Sequence, residues 1–197
     1  RKFGVIDLPR FYIDFDEKNY RNSTKDMAQE IERLKKENIE GIVLDLRSNP
    51  GGSLKTAIEI SGLFIEKGPI VQVKFRGREA DAKSDIDPKI QWNGPLVILL
   101  NEFSASASEI LAAAMQDYKR AIIIGGKQTY GKGTVQSLIG LDRYTNIGED
   151  IGALKMTIQK YYRVNGGSTQ LEGVKYDIML PSRYSYLELG EKDLDNP

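Results

Sequence analysis

The chain has 197 residues, 40% of them hydrophobic and 28% charged, which suits one globular domain with a real apolar core. Its 28 Lys and Arg balance 28 Asp and Glu, so no global field holds nucleic acid or an anionic membrane, and no apolar run approaches the length of a membrane span. Histidine and cysteine are absent, which excludes a Ser-His-Asp triad, a cysteine nucleophile and any imidazole or thiolate metal site.

In chain order, Gly4–Leu8 and, after Pro9, Phe11–Phe15 read as strands. A helix is expected from Thr24 to Glu37, capped by Asn22 or Ser23, with Met27, Ile31 and Leu34 as its apolar stripe. The apolar strand Gly41–Leu46 runs into the tight turn Arg47-Ser48-Asn49-Pro50-Gly51-Gly52, then a helix over Leu54–Ile65 and a strand over Ile70–Phe75. The stretch from Gly77 to Asn93 is polar and without periodicity, and reads as a long loop or flap over a cleft. Leu96–Leu100 is a buried-type strand leading into Phe103-Ser104-Ala105-Ser106-Ala107-Ser108-Glu109 and a helix over Ser106–Asp117. Strands follow at Ala121–Ile124, Leu154–Tyr162 and Asp177–Pro181. Alternating strands and helices predict βαβ units and a mainly parallel sheet, whose ligands sit beyond the carboxyl ends of the strands. Two such ends stand out: Leu46 opens into Asn-Pro-Gly-Gly and Leu100 opens into the serine cluster.

Without imidazole or thiol, nucleophilic chemistry needs an attacking oxygen and a base such as a lysine kept neutral in a dry pocket. Ser106-Ala107-Ser108-Glu109 fits a capping box, and taken alone that is the commoner role of such a serine. The functional reading is a nucleophilic hydroxyl at a helix amino terminus, where free N–H groups stabilise an oxyanion, with Ser104 and Ser108 as rivals. Gly51-Gly52 is either a tight turn or a bare N–H near a reacting carbonyl. Lys132, between two glycines, is either a solvated loop lysine or a general base. The second role requires desolvation to lower an ordinary pKa of about 10.4. Gln136 is placed to orient it, and Lys127 is its rival. Asp117 lies eleven residues after Ser106 on a similar helix face and reads first as an ordinary acid near a helix end. Asp45 and Asp177 show no pairing or metal spacing. Gly126–Gly133 approaches a phosphate-binding loop, but Gly133 replaces the Ser or Thr that holds magnesium, and a β-like segment follows instead of a helix.

Together the segments Gly41–Gly52, Phe103–Ile110, Ala112–Tyr118 and Tyr130–Gln136 resemble the carboxyl-terminal processing peptidases, or tail-specific proteases, a family of Ser-Lys peptidases. The likeness covers nearly the whole chain, with four motifs in the family's order. It implies that Ser106 is the nucleophile, Lys132 the base and Gln136 its positioning partner, with Gly52 and Ala107 supplying the oxyanion N–H groups. That favours catalysis over capping for Ser106. The run before the lysine is one residue longer than is usual in the family, while Gly-Lys-Gly-Thr-Val-Gln is intact. The implied fold is a crotonase-like α/β core, similar to the Clp peptidase subunit, with a mainly parallel sheet plus additional β-strands. On this reading residues 1–197 are one catalytic domain, excised from a longer protein whose PDZ domain is not present here. The resemblance further implies polypeptide substrates entered by the carboxyl terminus, no metal or nucleotide cofactor, no nucleic-acid partner, no stable membrane insertion, and a bacterial periplasm or cell envelope as the location. The alternative is a catalytically silent peptide-binding or scaffold module of the same fold.

Overall fold

The computed structural model describes residues 1–14, 21–144, 151–184, 186–195 and 197. Five strands form a parallel sheet in the order β1 (Phe3–Asp7), β2 (Gly41–Asp45), β5 (Leu96–Leu99), β6 (Ile122–Gly125) and β9 (Ile178–Met179). Register brings Ile6 beside Leu44, Leu44 beside Ile98 and Ile98 beside Ile123, and this row is buried. Three helices accompany the sheet: α1 (Ser23–Lys36), α2 (Leu54–Gly62) and α3 (Ala107–Asp117). Met27 and Ile31 of α1 and Ala57 and Ile60 of α2 join the same core. Fully burying one such aliphatic side chain is worth about 1.5–3 kcal/mol. The opposite face leaves Phe3, Val5, Ile122 and Ile178 exposed.

Local signals set the helix starts. Asn22 caps α1 by accepting the Lys25 N–H at 2.8 Å, and Arg33, Lys35 and Lys36 complement the dipole at its end. Ser53 caps α2 in the same way, accepting from Thr56. That helix ends at Gly62, three residues before the expected Ile65, because the Leu63 carbonyl turns to accept the N–H groups of Gln91 and Trp92.

A second, antiparallel sheet has the order β4 (Ala80–Asp85), β3 (Gly68–Phe75), β8 (Ala153–Tyr162), β7 (Thr134–Gly140). This corrects the expected loop from Gly77 to Asn93. Its β4 is an edge strand with nearly every residue exposed, so it carries no apolar alternation and is held by backbone pairing to β3. None of that stretch lines the cleft described below. The expected strand at Phe11–Phe15 is a pair of isolated bridges, Phe11 to Gly52 and Ile13 to Asn22, and its end at Phe15 lies outside the described residues.

Candidate active site

The strand ends singled out by sequence meet. After β2 the chain turns at Asn49, a fully buried side chain with three tasks. Its Nδ2 donates to the Leu8 carbonyl at 2.7 Å, its Oδ1 accepts the Gly51 N–H at 2.8 Å, and its carbonyl accepts both the Ala105 N–H and the Ser108 hydroxyl at 3.0 Å. Asn49 therefore ties the glycine turn to the serine cluster. Gly51 has φ +99°, and a Cβ there would lie 2.8 Å from the Ala105 carbonyl oxygen and the Ser106 Cβ. Only glycine combines that conformation with that approach. Gly52, at φ +144°, is pressed against the backbone of Phe11, which bonds on both sides of it: the Phe11 N–H to Gly51, and its carbonyl to the Ser53 N–H.

The three serines separate by burial and bonding. Ser104 is buried, its hydroxyl donating to the Leu46 carbonyl at 2.9 Å and accepting the Asn101 N–H. Ser108 is buried on Asn49. Ser106 alone is partly exposed, at φ +58° and ψ −113°, a strained conformation for a non-glycine residue. Its carbonyl accepts the first helical N–H, from Ile110, but its hydroxyl makes no cap hydrogen bond. The expected capping box is thus half made, by Glu109 accepting the Ser106 N–H at 2.8 Å. Ala107, first residue of α3, has an N–H with no acceptor among the described residues, and so does Gly52. A Cβ on Gly51 would come within 2.9 Å of that Ala107 nitrogen, so the glycine turn and the helix end are in contact.

Glu109 is fully buried and does far more than cap. Its carboxylate accepts Thr129 Oγ1 at 2.6 Å, the Gly131 N–H at 2.7 Å and the Lys132 N–H at 3.1 Å besides that of Ser106. One side chain joins the backbones of Ser106 and Lys132. Burial outweighs these donors and pushes its pKa up to about 7. The same bonds exclude the phosphate-loop reading of 126–133, because the N–H groups that would cradle a phosphate are spent on a carboxylate and β7, a strand, follows.

The Lys132 carbonyl is held by the hydroxyls of Tyr161 and, at 2.8 Å, Thr169. Its side chain is half-buried, and among the described residues no hydrogen bond or ion pair engages Nζ. Desolvation, then the charge of Lys155, lower its pKa below the ordinary lysine value, while Glu191 and Glu109 act in the other direction. Lys127 is exposed. Lys132, Gln136, Tyr130, Lys155 and Glu191 line an open cleft of about 740 Å³ together with Ser48, Pro50, Phe103 and Ala105, the residue before Ser106. Ser106 itself is not among the lining residues, and among the described residues no hydrogen bond joins its hydroxyl to Lys132 Nζ. The Gln136 amide is directed to Thr134 Oγ1 at 2.9 Å and Thr157 Oγ1 at 3.4 Å, not to Lys132. Asp117 stands apart in a two-pronged pair with Arg163, at 2.7 and 3.2 Å, and is a structural acid. Asp45 pairs with Arg47, and Asp177 accepts the Ile123 N–H. Among the described residues no group of acids could hold a metal ion.

Sequence reading missed Asn49, Thr129, Tyr161 and Thr169, and saw Glu109 only as a cap. For Asn49 a signal was available: Asn before Pro-Gly-Gly is a side chain suited to fold back on its own turn.

The fold is that of an α/β protein in which a strained serine directly follows a residue of the cleft that a desolvated lysine lines. The chain belongs to peptidase family S41, whose description matches residues 2–180. It is similar to the tail-specific protease of Haemophilus influenzae, 44% identical over 197 residues, which are 100% of this chain and 27% of that protein. It is also similar to the carboxy-terminal-processing protease of Bartonella bacilliformis, 39% identical over 92% of this chain and 42% of that protein. Among solved structures, the photosystem II D1 C-terminal processing protease matches with a TM-score of 0.74 and 29% identity, over 91% of this chain and 42% of that one. The chain spans less than half the length of each of these relatives. The expected family and the expected α/β fold with a mainly parallel sheet are both borne out.

Proposed function

We propose that the chain is the catalytic domain of a serine endopeptidase that processes polypeptides from their carboxyl-terminal tails through a Ser106–Lys132 acyl-enzyme. The observation that carries this reading is the fate of the serines: of three in the cluster, only Ser106 has a hydroxyl unspent among the described residues, on a strained turn beside N–H groups likewise unspent among them. In the reaction Ser106 Oγ attacks the scissile carbonyl carbon and Lys132 Nζ, neutral beforehand, takes the hydroxyl proton. The oxyanion lies between the N–H groups of Gly52 and Ala107, each donor worth roughly 10²–10³ in rate. Collapse breaks the C–N bond as the lysine ammonium gives its proton to the leaving amine. Water, deprotonated by the regenerated lysine, then cleaves the ester. Entry by the carboxyl terminus rests on the names of the relatives, tail-specific and carboxy-terminal-processing. A PDZ domain elsewhere in the full-length protein, and a periplasmic or envelope location, rest on the family resemblance.

That no hydrogen bond joins Ser106 to Lys132 among the described residues favours a second reading, a silent peptide-binding module of the same fold. Degradation of casein by the parent, Ser106→Ala and Lys132→Ala, with EDTA and without nucleotide, separates the two. Cleavage lost in both variants supports the peptidase; cleavage that survives either substitution removes that residue's role; no cleavage by the parent, with casein still bound, favours the module.

A further inference from the structure

Residues beyond 180 lie outside the stretch that matches the family, yet a part of them closes on the base loop. The 3₁₀ turn Glu191–Asp193 is capped by Gly190, whose N–H bonds to Asp193 at 2.8 Å. The Glu191 N–H donates to the Tyr130 carbonyl at 2.7 Å, and Lys192 Nζ reaches Gln128 Oε1 at 3.2 Å. Gln170 forms a bridge: its Oε1 accepts the Gly133 N–H at 2.7 Å, and its Nε2 lies 3.5 Å from Glu191 Oε1. The turn thus bonds the loop directly before Lys132 and reaches its far side through Gln170. The Glu191 carboxylate itself lines the cleft beside Lys132, Lys155 and Tyr130.

We propose that Glu191 is a positioning residue for the general base, an acid supplied by the segment after the family-matched region that fixes the base loop and sets the charge beside Lys132. The inference rests on Lys132 being the base.

Other charged or titratable groups also face Lys132. Glu109 comes from α3, Lys155 and Tyr161 from β8, and Tyr130 from the base loop itself. Glu109 is committed to four donors and Tyr161 to the Lys132 carbonyl, which leaves Glu191 and Lys155 as the opposed charges open to the cleft. An anion at 191 favours the ammonium form of Lys132 and a cation at 155 disfavours it. Glu191 therefore keeps the base from being neutral too far down in pH, and makes the neutral amine a stronger base toward the Ser106 hydroxyl.

Glu191→Gln keeps the backbone N–H and an acceptor toward Gln170 but removes the charge. The test is the titration midpoint of Lys132 Nζ, read by ¹⁵N NMR with the resonance assigned through Lys132→Arg, alongside the pH profile of kcat/KM on a peptide substrate. Removing the anion lowers the Lys132 pKa, so both the midpoint and the acid limb of kcat/KM are expected to move to lower pH. Glu191→Asp is expected to restore them at least in part. Glu188→Gln, which removes an exposed acid from the same segment, should leave both unchanged. A Lys132 midpoint that is the same in Glu191→Gln as in the parent overturns the proposal, as does a shift that Glu188→Gln reproduces. Loss of folding in Glu191→Gln would show in the dispersion of the same spectra; Glu191→Ala then repeats the test, and a folded Glu191→Ala whose midpoint matches the parent's also overturns the proposal. A parent without Ser106-dependent cleavage would instead sink the peptidase reading, while the NMR midpoints would still decide the part played by Glu191.

Discussion

The serine elbow and the lysine loop face the same cleft and are built on opposite terms. Around Ser106 the neighbouring polar groups are spent on holding the backbone: Ser104 on Leu46, Ser108 on Asn49, Asn49 on Leu8 and Gly51, Glu109 on the Ser106 N–H. Around Lys132 the backbone is clamped just as firmly, by Glu109, Tyr161 and Thr169, but the side chain has no partner among the described residues. On the proposed roles, the difference follows from what each group needs. A hydroxyl nucleophile must be aimed, and aim comes from covalent geometry and strain. A lysine base must be uncharged, and that comes from dehydration and neighbouring charge, which a tight ion pair would cancel.

Two substitutions at the elbow test its side of the contrast. Ser106→Ala should abolish cleavage, on the order of 10⁶-fold in kcat by analogy with the loss of other serine nucleophiles, with little change in stability because the hydroxyl bonds nothing in the helix cap. A thermal melt together with turnover of casein checks both parts. Gly51→Ala should fail structurally instead. Its Cβ would meet backbone atoms 2.8–2.9 Å away at a positive φ, and those atoms belong to Ala105 and Ala107. A loss of about 3 kcal/mol is expected in urea unfolding, with cleavage falling well beyond what the unfolded fraction explains.

Glu109 connects the two regions, so its charge tests whether they are coupled. The folded-state pKa of about 7 lies above the ordinary 4.5, so between those values the folded state binds more protons than the unfolded chain. Stability should therefore fall as pH rises through that window, by about 3 kcal/mol in all. Glu109→Gln should flatten that dependence. At pH 5 the parent carboxyl is itself protonated and sets an O–H among the same donors, so the amide should cost little there. Urea midpoints at pH 5 and 7.5 for parent and variant decide it.

What was legible in the sequence divides along the same line. The parallel strands and three helices announced themselves through apolar runs and periodicity, with a cap at Asn22. Strand β4 did not, because both of its faces are solvated and only backbone pairing defines it. Choosing Ser106 over Ser104 and Ser108, or Lys132 over Lys127, by residue chemistry alone was out of reach, since burial makes the choice and burial is a tertiary property. Glu109 looked like a cap because one of its partners is three residues away, whereas the others are 20 to 23 residues on. Gln136 looked like a partner for Lys132 by spacing, but on strand β7 its amide finds the threonines of β7 and β8 first.

The mildest test concerns the unpaired side chain itself. Lys155 lies on exposed strand β8 and shares the cleft with Lys132, and after desolvation its charge is the next cause of the lowered Lys132 pKa. Lys155→Met removes a like charge while keeping an unbranched chain of similar length. Lys132 should then hold its proton to higher pH, and the acid limb of kcat/KM should move up, opposite in sign to Glu191→Gln. Well above that limb the variant and parent should cleave at the same rate, since the neutral base is fully populated in both. High salt should shrink the shift, because Lys155 is exposed and acts through solvent. If the limb does not move, dehydration alone prepares the base, and the contrast between an aimed nucleophile and an electrostatically tuned base narrows to one between strain and burial.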